Sequence, residues 1–187
     1  MTTSELVIAS EFALDSFTPD EAAFQCQDEL IYIIPRQNLK ELNLPGWKIH
    51  PLKPLQQTQV PIWVALILKK HELCNIKFPD WLNEESLLER VELEKNSTHY
   101  TTLPWYWQTI AQMLLTSAYS DLEGDLHIVR GYLKDLAEIR LGKIRASLPR
   151  ALNEVQIEFD GYGALELDQV RPLLSKTINL VNKLPRF

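Results

Sequence analysis

The stretch Asp125-Leu-His-Ile-Val-Arg130-Gly-Tyr-Leu-Lys-Asp-Leu-Ala-Glu-Ile-Arg140-Leu-Gly-Lys-Ile-Arg145 decides the class of fold. Its apolar residues recur every three or four positions, the period of a helix face. One stripe runs Leu133, Ala137, Leu141, Ile144, Leu148, Leu152 and Val155, and a second runs Ile128, Tyr132, Leu136 and Ile139 beside it. A surface helix needs one stripe, so the N-terminal half of this helix must be covered on two sides. Upstream, Pro104 opens a helix running to about Ala118 that is apolar around most of its circumference. Asn83-Glu84-Glu85 caps another, to about Lys95, with an acidic start that suits the helix dipole. Pro61 opens an Ile62–Glu72 helix that Asn75 to Pro79 breaks, and a last helix begins just before Pro172 and ends near Lys183.

The texture differs before Pro61. Pro35, Pro45, Pro51, Pro54 and Pro61 leave no room for a long helix. Glu29-Leu-Ile-Tyr-Ile-Ile34 is β-branched and aromatic, and Trp47-Lys-Ile-His50 alternates, so both read as strands. Thr18-Pro19-Asp20-Glu21 is a helix start, with Thr18 as N-cap and Glu21 completing a capping box. The expected architecture is mainly α: residues 1–60 form a small β-rich domain with a short N-terminal helix, and residues 61–187 form an α-helical bundle domain.

Of the 187 residues, 45% are hydrophobic and 24% charged, the balance of a foldable chain. The net charge of −6 argues against a protein whose main task is gripping nucleic acid phosphates. The acidic N-terminus does not read as a secretory signal, and the longest apolar run, Pro61 to Leu68, is too short to span a membrane. A reducing compartment, cytosol or nucleus, is therefore expected, and Cys26 and Cys74 give neither a disulfide scaffold nor a Cys-x-x-Cys metal or redox pair.

No motif asks for catalysis or a cofactor. The six glycines make no phosphate loop, and the four scattered histidines have no zinc-ligand spacing. Neither cysteine has a nearby histidine, no nucleophile elbow is present, and Asp160-Gly-Tyr-Gly163 reads as a turn. Trp105, Tyr106 and Trp107 could stack bases, but no Lys or Arg lies between Lys95 and Arg130, which favours core or a protein interface.

Charge is segregated. Residues 72–95 carry seven acidic groups against three basic; residues 127–153 carry Arg130, Lys134, Arg140, Lys143, Arg145 and Arg150 against Asp135 and Glu138. Two readings stand side by side, an ordinary solvated face with a Lys134–Glu138 pair and electrostatic matching to an acidic partner. A body this small cannot easily hide two helices with such broad apolar faces, so part of that surface is expected to meet another subunit; a compact monomeric bundle is the alternative.

Two blocks carry a resemblance: Val60-Pro-Ile-Trp-Val-Ala-Leu-Ile-Leu-Lys-Lys70 with Cys74-Asn-Ile-Lys-Phe-Pro-Asp-Trp-Leu82, then Leu103-Pro-Trp-Tyr-Trp107 with Leu133 to Arg145. Together with Glu29 to Pro35 and Leu165 to Pro172, in order over residues 18 to 184, they resemble the second "partner of Sld-five" subunits of the eukaryotic GINS complex. The resemblance implies a β-rich domain followed by a helical one. It also implies a nuclear, non-catalytic, cofactor-free subunit of a heterotetramer that joins the Mcm ring and the Cdc forty-five factor as the replicative helicase. Its partners would be Sld-five and the first and third partner subunits, with DNA met at most indirectly and no membrane. The expected partner interface is Trp105, Tyr106, Leu114, Tyr132, Leu136 and Ile139, with Arg130, Lys134 and Arg140 beside them. The alternatives are the third partner-type subunit, which shares the domain order, and a nucleic-acid-binding module using the Arg130–Arg150 stripe.

Overall fold

The computed structural model describes residues 18–44, 46–151 and 161–172. Thr18 caps helix α1 (Pro19–Cys26): its hydroxyl accepts from the Glu21 N–H, and the Glu21 carboxylate accepts from the Thr18 N–H at 2.9 Å. This is the capping box read from the sequence, with Pro19 where its missing N–H costs nothing. Strand β1 (Leu30–Pro35) alternates, turning Ile31 and Ile33 inward and leaving Leu30 and Tyr32 exposed.

β1 is the centre of a three-stranded antiparallel sheet. β4 (Thr58–Pro61) pairs on one side, Leu30 opposite Pro61, and β5 (Cys74–Lys77) on the other, Tyr32 opposite Lys77. A separate hairpin, β2 (Leu42–Leu44) with β3 (Trp47–Ile49), has Gly46 at φ +81° between the paired Leu44 and Trp47, a conformation glycine adopts without strain. Helix α2 (Ile62–Lys70) follows β4 directly and buries Val64, Ala65 and Leu68.

β5 differs from expectation. The sequence of the segment after α2 signals only a helix break, yet Cys74 and Ile76 turn inward as part of the sheet. Four alternating residues are too few to show their period in sequence. A division at residue 60 therefore cuts through one hydrogen-bonded sheet, and we propose the break after Lys77 instead. Asp121 ties this sheet to the helices: Oδ2 accepts the Ile76 N–H at 2.8 Å, and Oδ1 accepts from Lys69 Nζ at 2.6 Å.

The helical part contains α3 (Glu84–Asn96), α4 (Trp107–Ser117) and α5 (Leu126–Ala151), then a helical turn sequence over 164–172, here α6. Asn83 Oδ1 caps α3 through the Ser86 N–H at 2.7 Å, and Asp125 Oδ1 accepts the His127 N–H at the start of α5. α6 starts well before the expected point near Pro172. Gly163 heads it, with its N–H held by the Glu166 carboxylate three residues on at 2.7 Å, so a Gly-x-x-Glu start took the place of the usual hydroxyl cap. One apolar core runs from Cys26 and Ile33 through Ala65 and Leu82 to Leu114 and Leu136; Ile144 and Val170 form a small second cluster with Tyr100, Leu141 and Tyr162. The architecture is the expected one, strands first and helical bundle second.

Candidate interaction surface and a buried charge cluster

Helix α4 is apolar almost all round because its own chain surrounds it. α1 and α2 pack on it, and Trp107, Ile110, Ala111, Leu114 and Leu115 are buried. Toward α5 the contact is incomplete. An open cleft of about 430 Å³ separates Trp107, Ala111, Gln112 and Leu115 on α4 from Arg130, Leu133, Lys134 and Ala137 on α5. Its floor is apolar and its rim is polar on the α4 side and basic on the α5 side. That composition suits a protein surface, with apolar contact for affinity and charge for orientation. A second, smaller notch of about 220 Å³ lies between Trp105, Gln25 and the residues of α6.

The nine expected interface residues separate into three groups. Leu114, Leu136 and Arg140 have no exposed surface and belong to the interior of the chain. They are corrected from interface to core, because tertiary packing covers faces that in sequence look like any other apolar stripe. Tyr106, Tyr132 and Ile139 are half-buried against the main core, and the Tyr106 hydroxyl donates to Gln25 Oε1 at 2.9 Å. Trp105, Arg130 and Lys134 are exposed, the first at the notch and the other two on the rim of the cleft. Among the described side chains of α5, the buried ones are Val129, Leu136, Arg140 and Ile144. This row joins Leu136 from one expected stripe to Ile144 from the other through Arg140, whose charge hides the continuity in sequence. The side chains of Leu148 and Arg150, and Leu152 and Val155 altogether, lie outside the described residues.

The basic stripe is not a continuous surface. Arg140 is fully buried and forms ion pairs with Glu94 Oε1 at 2.7 Å and Glu166 Oε1 at 2.6 Å. Lys143 reaches Glu94 Oε2. The acidic helix α3 and the basic helix α5 are thus matched to each other inside the molecule, a partner that neither sequence reading considered. Glu94 also accepts from the Thr101 N–H and hydroxyl, at 2.7 and 2.8 Å. Burial pushes the Glu94 carboxyl up, but the bonds from Lys143 and Thr101, with the Arg140 charge, outweigh it and leave the pKa lowered. For Arg140, burial opposes the charge, and Glu166 first, then Glu94, more than restore it. All four carboxylate oxygens of Glu94 and Glu166 are occupied by fixed donors. Their work is structural, and Glu94, Glu166 and Tyr100, whose ring centre is 5.2 Å from the Arg140 guanidinium, carried no signal in sequence.

Among the described residues, no helix is long and apolar enough to cross a membrane. No three His, Cys, Asp or Glu side chains there gather to hold a metal ion. Both cysteines are free and buried.

Comparison with known proteins meets this geometry domain by domain. A family model described as the PSF2 N-terminal domain matches residues 18–77, and one described as the GINS complex protein helical bundle domain matches residues 81–184. The two meet in the gap between β5 and α3. A sheet module followed by this bundle defines a GINS-type protein. The chain is 39% identical to the DNA replication complex GINS protein PSF2 of Debaryomyces hansenii, over 91% of this chain and 82% of that one. It is 36% identical to the protein of that name from Candida albicans, over 89% and 82%, and 28% identical to that of Saccharomyces cerevisiae, over 90% and 87%. The chain belongs to the PSF2 family of GINS proteins.

Proposed function

We propose that this chain is a non-catalytic structural subunit of a heterotetrameric GINS complex. In this reading it works in the nucleus, where it is required for assembly and activity of the replicative Cdc-Mcm-GINS helicase in initiation and elongation. Its partners are Sld-five and the first and third partner subunits, and through the tetramer the Mcm ring and the Cdc forty-five factor. The observation that carries the reading is the match of both domains, in order, to a family whose named members are DNA replication complex GINS proteins. The open α4–α5 cleft and the exposed Trp105 supply surface for such contacts.

Co-expression with the three sister subunits followed by native mass spectrometry tests it. A 1:1:1:1 particle is expected, and a monomer that ignores those subunits refutes the proposal. The nucleic-acid reading is weakened by Arg140 and Lys143, whose charges are used internally. A salt titration separates the two: a DNA-binding module loses affinity linearly in log salt, with a slope of about −0.9 per phosphate contacted.

A further inference from the structure

Among the described residues, Leu55 is the large hydrophobic side chain most open to solvent, at 87% exposed, and its backbone is left-handed, with φ +61°. A residue with a Cβ is strained in that region, and an apolar side chain held in water is unfavourable. The other such non-glycine residue, Glu72 at φ +58°, closes helix α2, with the next N–H, of Leu73, bonded back to the Leu68 carbonyl, and it puts a polar side chain into solvent. Leu55 combines both disadvantages. Nothing in the turn requires a leucine. The Gln56 N–H donates to the Lys53 carbonyl at 3.3 Å, and Pro54 followed by a left-handed residue is the pattern of a type II turn, whose third position favours glycine or asparagine. The turn is also held firmly from beneath. The Leu55 N–H donates to the Pro35 carbonyl at 3.1 Å, and Leu52, bonded in both directions to Leu39 at 3.0 Å, is buried in the core.

We propose that Leu55 is a preorganised peg that enters an apolar socket, rimmed by carboxylates, on a sister subunit of the complex. The inference rests on the proposed function and adds to it a contact made by the sheet module, separate from the α4–α5 cleft. Strain kept at an exposed position points to a role there. That strain is present in every free molecule, so the contact that offsets it must be a standing one, which singles out a subunit of the assembly over a passing partner. The fixed turn means that little side-chain and loop freedom is lost on docking. The chemistry of the socket follows from the surroundings of the peg. Residues 36–57 carry Arg36, Lys40, Lys48 and Lys53 against Glu41, in a chain whose net charge is −6. Glu41 is paired with Lys48 at 3.0 Å, whereas Arg36 donates to the neutral Asn75 Oδ1 at 2.7 and 2.9 Å. Arg36, Lys40 and Lys53 are exposed. Lys53 belongs to the turn itself, and Arg36 follows the Pro35 whose carbonyl holds Leu55. A leucine set among cations matches an apolar hollow with an acidic rim. A nucleic acid backbone would use the cations and leave the leucine without a purpose.

Substitutions at Leu55 test this because stability and assembly should move in opposite directions. Leu55→Gly and Leu55→Asn suit the left-handed backbone, so the full chain carrying either should unfold at a urea midpoint raised by about 0.2–0.5 M. In titrations with the three sister subunits, read by native mass spectrometry, both should weaken assembly about 10- to 100-fold, the effect of leaving one leucine unburied. Leu55→Met keeps the apolar bulk and should assemble like the parent. Lys53→Glu should weaken assembly, and more so at low salt. The proposal is overturned if Leu55→Gly assembles with the parent's affinity, or if it lowers stability and affinity together, as loss of a merely structural residue would. It is also overturned if Leu55→Met assembles as poorly as Leu55→Gly, or if Lys53→Glu assembles normally and instead loses binding to a duplex DNA probe. An unmodified chain that does not assemble refutes the proposed function itself, and this inference with it.

Discussion

Replacing Arg140 by Met should destabilise the fold by about 3–5 kcal/mol, the usual cost of removing one member of a buried ion cluster. A naive sum would be far larger. Hydrogen bonds to charged groups contribute about 1.5–3 kcal/mol each, and five would rival the whole stability of a domain, about 5–15 kcal/mol. The relevant quantity is instead what the substitution leaves behind. Glu94 and Glu166 have 0% and 2% of their side chains exposed, so neither can recover its lost partner from water while the fold stays closed. Lys143 still neutralises Glu94, so only Glu166 loses its single counter-charge. This places the loss toward the lower end of the range. With a urea slope of about 2 kcal/mol/M, a loss of about 3 kcal/mol moves the midpoint down by about 1.5 M. Urea is the appropriate denaturant because it adds no ions. Adding Glu166→Gln to Arg140→Met removes the carboxylate left without a counter-charge, while Glu94 keeps Lys143, and should recover a large part of the loss. An Arg140→Met midpoint within about 0.5 M of the parent, or a double variant no more stable than the single, would refute the reasoning.

Leu114→Ala empties a fully buried site and should cost about 3–5 kcal/mol in stability, with no affinity loss per folded molecule. Trp105→Ala should instead weaken subunit assembly: about half of an aromatic surface of about 200 Å² is open to a partner, roughly 2–3 kcal/mol at about 25 cal/mol/Å². Subunit titration by native mass spectrometry reads both. Acid should destabilise the protein through Glu94, whose folded pKa is lowered from 4.5. The unfolded carboxyl takes up its proton first, so this contribution is complete above about pH 4.5 and is lost as pH falls toward the folded value; Glu94→Gln should flatten that part of a stability–pH profile. Burial pushes the thiols of Cys26 and Cys74 up to about 11. Both should resist thiol reagents at pH 8 until urea unfolds the chain, as a timed colorimetric thiol assay would register.

The sequence by itself was enough for the order of the elements, because their signals are local. A capping box spans Thr18 to Glu21, Asn83 stands just before α3, and the helical period of residues 125–145 needs no distant partner to be visible. The resemblance to the GINS family was legible for the same reason, as ordered blocks of residues. Three things were decided only by the tertiary structure. β5 is four residues long and becomes a strand through hydrogen bonds to β1, about forty residues earlier. The apolar circumference of α4 announces burial, but not that α1 and α2 provide it; periodicity reports which face is apolar and is silent on what covers it. Arg140 reads as one more cation on a solvated helix face, yet its acceptors lie 46 residues before and 26 residues after it. A charge can enter a core stripe only when such distant groups converge on it, and that convergence exists nowhere in the local pattern.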